Sequence, residues 1–131
     1  MFKILSALSI SLLLGGCVTS GHSTAAQLAE YKKSIPVCYE KNECQKMWSA
    51  ARRWILNNSG YKLQHITSDY METYNPRNGD TNIAFRASLE PSGDGYRIVG
   101  EAWCGNMFGC VPVQHEAMIN FNQYVSDSVY R

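Results

Sequence analysis

The 131-residue chain lacks an excess of charge of either sign: Lys and Arg total 12 against 11 Asp and Glu, and charged residues make up only 18%. Nucleic-acid binding needs a basic surface dense enough to displace condensed counterions, so this balance argues against that partner class. Common catalytic and cofactor patterns are also missing. The sequence has no Gly-rich phosphate loop, no acidic calcium loop, no H-E-x-x-H and no Ser in a nucleophile-elbow pattern. His65 and Asp69 are spaced to share a face of one strand, and His115 adjoins Glu116, but single histidines of this kind read as surface or structural groups. Glu72, Glu90 and Glu101 lie in strand-like segments, with nothing in the pattern to bring any two together. No metal or cofactor is expected. No apolar run reaches the roughly 20 residues that a bilayer-crossing helix requires. The length allows one compact domain.

What is present begins with a graded N-terminus: a positive start with Lys3, an apolar stretch Ile4–Leu14, then Gly15, Gly16 and Cys17. This is the layout of an export signal, too short to remain as a membrane span. Its end, Leu14-Gly15-Gly16-Cys17, resembles the lipobox of bacterial lipoproteins, with Gly15 where Ala or Ser is more usual. The resemblance covers only the first 17 residues. It implies that residues 1–16 are removed, that Cys17 is acylated on its thiol and its new amino group, and that the chain is held to a membrane by lipid. Because Val18 rather than Asp follows the Cys, the resemblance also implies the outer membrane, with the domain in the periplasm.

The cysteines agree with an exported chain. Of the five, assigning Cys17 to lipid leaves Cys38, Cys44, Cys104 and Cys110. In an oxidising compartment four thiols are most simply two disulfides. Both close pairs are C-x5-C, unlike the tighter spacings of zinc ribbons or the C-x-x-C of thioredoxins. Local closure, Cys38 to Cys44 and Cys104 to Cys110, is the expected pairing, although four Cys allow three connectivities. Each loop of about seven residues then contributes roughly 2–2.5 kcal/mol through loop-closure entropy.

Residues 17–34 read as the lipidated Cys and a tether, with a faint helical hint at Ala25–Tyr31. If flexible, these roughly 17 residues reach about 20–25 Å on average. The domain spans 35–131. It opens with a helix over Glu43–Asn58, with Asn42 as N-cap and Gln45 three residues on. Cys44, Met47, Trp48, Ala51, Trp54 and Ile55 form its apolar stripe. Three strand-like segments follow. Tyr61–Tyr74 has an alternation that slips near His65 and Ile66, Asn82–Glu90 alternates cleanly, and Tyr96–Trp103 does so after the turn Pro91–Gly95. Pro112 then starts a closing helix with Val113, Ala117, Phe121, Tyr124 and Val125 on one side.

The expected fold is therefore a two-layer α+β domain: a three-stranded antiparallel meander, with a helix before and a helix after packed on one face. The other face would carry Arg86, Arg97, Val99, Glu101 and Trp103. Within it, the segment Trp103–Cys110 stands out, since a disulfide-closed loop holding Met107 and Phe108 at its tip is a preorganised apolar contact. The alternative is that Phe108 folds back over the end of the core. Taken as a contact, Trp103, Met107 and Phe108 imply an envelope protein partner. The expected function is an envelope-anchored protein-binding or assembly accessory module; a small periplasmic enzyme, or an inhibitor of a cell-wall hydrolase, is the alternative.

Overall fold

A computed structural model describes residues 24–131. The signal, Cys17 and most of the tether lie outside the described residues. Nine elements follow in order: α1 (Ala25–Ser34), β1 (Val37–Cys38), α2 (Lys41–Asn58), β2 (Leu63–Ile66), β3 (Tyr70–Thr73), β4 (Ala84–Ser92), β5 (Gly95–Trp103), α3 (Gln114–Asp127) and a short 3-10 turn (Ser128–Tyr130). The class is α+β, as expected. The sheet is antiparallel and five-stranded, in the order β1-β5-β4-β3-β2.

Two of its strands correct the three-stranded reading. Tyr61–Tyr74 is not one strand. Thr67 accepts the Tyr70 N–H on its hydroxyl oxygen (3.0 Å) and donates to Asp69 Oδ1 (2.9 Å), closing a turn between β2 and β3. Run together, the β-formers on either side hide that turn. The slip in alternation does mark a register irregularity, between Leu63 and His65. The other addition, β1, is two residues long and pairs Val37 with Arg97 and Cys38 with Tyr96. An element so short carries no periodicity to read.

The apolar side of the sheet follows from the register. Phe85 faces Ala102, Ala87 faces Gly100 and Leu89 faces Ile98 across β4 and β5, with Met71 beside Ala87 on β3. The helices cover this side. Trp54 of α2 and Phe121 of α3 meet Phe85, with ring centroids 4.8–5.3 Å apart in tilted and edge-on pairs. Gly100 makes room for this: a Cβ there would lie 2.7 Å from the Phe121 ring and 2.8 Å from Phe85 Cζ. The α2 stripe is buried as the spacing implies, with Trp48 only partly covered. Its start differs. Glu40, not Asn42, is the N-cap, and Glu43 supplies the returning side chain of the capping box, so the helix begins at Lys41. In α3, Ala117, Phe121 and Val125 are buried, whereas Val113 is its exposed N-cap and Pro112 precedes the helix.

The main departure lies in the tether, whose second half is helical. A capping box formed by Thr24 and Gln27 starts α1, and Lys32 and Lys33 close it where cations favour the helix dipole. None of its residues is fully buried, which is why the hydrophobic pattern hardly shows it. Polar contacts seat it instead. Tyr31 donates its hydroxyl to Gly100 O (3.0 Å), Asn122 Nδ2 donates to Ser34 Oγ (2.9 Å), and Gln27 meets His115 Nε2 (3.3 Å). The helix thus covers the edge of β5 that the two-residue β1 leaves open. Burial, then the nearby Glu101 carboxylate, raises the Tyr31 pKa.

The direction of α1 is set by the same contacts. Gln27 lies by His115 at the start of α3, Tyr31 by Gly100, and Pro36 accepts from Ile98 N–H. The chain therefore runs antiparallel to β5. It enters at the end where β5 finishes and reaches the end where β5 begins. The two disulfides, Cys38–Cys44 and Cys104–Cys110, sit at these opposite ends, with Cα separations of 5.2 and 5.6 Å.

Candidate functional site

The Cys104–Cys110 loop is braced from below. Its neighbour is the turn over residues 75–82, and the two share a short ladder: Gly105 N–H donates to Asp80 O (3.0 Å) and Gly79 N–H to Gly105 O (2.8 Å). Gly105 passes so close to the Arg77 carbonyl that no Cβ fits between them. Asn106 ties the tip to this base, donating to Gly79 O (2.9 Å) and accepting the Phe108 N–H (2.8 Å). Gly109 takes a positive φ of 131°, which lets the chain return to Cys110. Val111 N–H then donates to Thr81 O (2.9 Å).

The supporting turn is held by Asp80. Tyr61 donates its hydroxyl to Asp80 Oδ2, and Asn82 donates its backbone and side-chain N–H groups to Oδ1 (both 2.9 Å). The hydrogen bond from Tyr61, then that from the Asn82 backbone, holds the Asp80 carboxyl below its usual range and raises the Tyr61 phenol in return.

On this base Met107 and Phe108 are 89% and 90% exposed, so Phe108 does not fold back over the core. Val111 and Val113 are exposed beside them in the chain. No Asp, Glu, Lys or Arg occurs from Ala102 to His115. That gap in charge was the available sequence signal for Val111 and Val113, which the loop-centred reading missed. Trp103 is placed differently from the tip. It is half-buried on the open face of the sheet, with the Arg86 guanidinium 5.6 Å from its ring centroid.

That open face carries Arg86, Arg97, Val99, Glu101 and Trp103, as the alternation implies. Directly opposed cross-strand pairs neutralise it: Arg86 Nε donates to Glu101 (2.7 Å), and Arg97 donates twice to Glu90 (2.8 and 3.1 Å). The Arg97 contact, then a hydrogen bond from Ser88, lowers the Glu90 pKa. Exposed pairs like these contribute little to stability, and each carboxylate is already engaged. Of the remaining chemical candidates, His65 and Glu72 do come together: His65, Glu72, Arg86 and Glu101 are successive cross-strand partners in one row over β2, β3, β4 and β5, with Glu72 and Glu101 on either side of Arg86. Glu90 pairs with Arg97 further along, and His115 lies on α3. His65 is exposed on β2, while Asp69 lies in the following turn bonded to Thr67, so the two do not share a strand. A concavity of about 420 Å³, lined by Tyr39, Cys44, Trp48, Leu89 and Tyr96, opens at the opposite end, beside the first disulfide. Among the described residues no helix is long and apolar enough to cross a membrane. Comparison with family models, curated proteins and solved structures finds no match to this chain.

Proposed function

We propose that this chain is an envelope lipoprotein, anchored through Cys17, that works by contact rather than turnover, as an assembly accessory whose working surface is the apolar tip. One observation carries the reading: Met107 and Phe108 stand almost wholly exposed on a loop held by a disulfide and by hydrogen bonds to a second loop. Fixing the loop beforehand lowers the ordering cost of binding, and the two large side chains supply apolar area to bury. Trp103 flanks the tip but is engaged on the sheet face, so it contributes at the rim.

The enzyme alternative has less support: the row His65, Glu72, Arg86 and Glu101 lies on the open face of the sheet with His65, Arg86 and Glu101 exposed and Arg86 bonded to Glu101, and His115 is apart from it on α3. With α1 folded, the stretch between Cys17 and Thr24 spans at most about 25 Å when fully extended, so the domain stays close to its anchor. Acyl labelling in cells tests the anchor. Wild type is expected to incorporate label, and Cys17→Ser to lose it and to appear as an uncleaved or soluble form. Label persisting in Cys17→Ser would refute the lipoprotein reading.

A further inference from the structure

The anchor and the tip lie at one end of the molecule, and this names what the tip touches. We infer that the exposed apolar tip docks on the phospholipid bilayer surface next to the anchor, seating the domain on the membrane in one orientation; the inference rests on acylation of Cys17.

The chain enters the fold at the N-terminus of α1, where Gln27 meets His115 of α3. His115 follows Val113 by two residues, and Gln114 reaches back to Ala102 O (3.4 Å) near the end of β5. The Cys104–Cys110 loop begins one residue after β5 ends. Thr24, Val113 and the loop therefore share one end. The seven-residue step from Cys17 to Thr24 can span at most about 25 Å, less than the roughly 30 Å length of the nine-residue β5. Lipid at Cys17 thus holds this end toward the membrane and the Tyr39–Tyr96 end away from it.

The chemistry at that end suits the interface. No Asp, Glu, Lys or Arg occurs from Cys17 to Ala29 or from Ala102 to His115, and the described part of the first stretch, from Thr24 on, meets the second where Gln27 touches His115. Moving the first stretch and the loop into the headgroup layer therefore desolvates no side-chain charge. Met107, Phe108, Val111 and Val113 are the side chains exposed to it. Arg77, exposed on the adjoining turn, has the sign of charge that headgroup phosphates attract. The acyl chains on Cys17 hold the chain at the membrane, and a weak second contact suffices to fix the orientation of the domain because the anchor keeps its local concentration at the surface high.

The test places photoreactive benzoylphenylalanine at position 108 or, as a control, at position 39 of the full chain. Each form is expressed in cells and also reconstituted, after purification, in vesicles of phosphatidylethanolamine and phosphatidylglycerol. The N-terminal peptide of each preparation is weighed to establish acylation. With Cys17 acylated, lipid adducts are expected at 108 and not at 39, in vesicles and in the native envelope alike. A probe at position 111 is expected to form lipid adducts too. Combining it with Met107→Ser and Phe108→Ser should reduce its yield to the level at 39. Acylated protein giving mainly protein adducts at 108 in the envelope, or equal lipid adducts at 108 and 39, would overturn the inference and leave the anchor intact. Unacylated Cys17 would overturn both.

Discussion

Replacing Met107 and Phe108 together by Ser separates a displayed tip from a lid on the core. Phe108 is 90% exposed and Met107 89%, so folding removes about a tenth of each from water. An aromatic side chain buries roughly 150–250 Å² when fully covered, so the tenth removed here is worth about 0.5 kcal/mol at 25 cal/mol per Å². Both residues together contribute at most about 1 kcal/mol. For a domain of this size that corresponds to a fall in Tm of about 5 °C or less. Phe121→Ala sets the opposite scale. Phe121 is fully buried, and its ring packs on Phe85 and Trp54 at 4.8 and 5.3 Å. Its loss should cost about 3–5 kcal/mol, lowering Tm by more than about 12 °C. Thermal melts of the oxidised mature protein, followed by near-UV circular dichroism at one pH, read both. A drop beyond about 10 °C in the double Ser variant would mean that the tip supports the fold, and the contact reading would lose its basis.

Three further outcomes follow from the same contacts. Peptide mapping without reductant should recover Cys38 linked to Cys44 and Cys104 to Cys110; removing the second pair as Cys104→Ser with Cys110→Ser should cost about 2 kcal/mol in denaturant unfolding. Gly100→Ala should destabilise by about 1–3 kcal/mol, because the new methyl meets the Phe121 and Phe85 rings, whereas a neutral result would show that the core shifts easily. Asp80 and Glu90 have folded pKa values below their usual ones, so their contribution is present above the unfolded values and is lost as pH falls through the folded ones. Stability should therefore decline below about pH 4, and Asp80→Asn should flatten that decline and loosen the Cys104–Cys110 loop in amide exchange.

The sequence by itself determined what depends on neighbours along the chain. The α2 stripe, the alternation of β4 and β5 and the local Cys pairing were legible, because helix and strand periods leave repeating marks and a closed loop needs only nearby partners. So was the open face, since alternation assigns Arg86, Arg97 and Glu101 to one side before any contact is known. Elements stabilised across long separations left little trace. The α1 helix is seated by Tyr31 on Gly100 and Ser34 on Asn122, polar contacts that no apolar stripe announces. The two-residue β1 exists because β5 offers it an edge. Local residues supplied the loop at Cys104–Cys110, with its glycines and Asn106, but its rigidity comes from the 75–82 turn more than twenty residues away. Whether Phe108 points inward or outward was open at the sequence level, because an aromatic beside a Cys pair is compatible with either. Packing decided it: Phe85, Phe121 and Trp54 already fill the space between helices and sheet, leaving Phe108 with solvent on nearly every side.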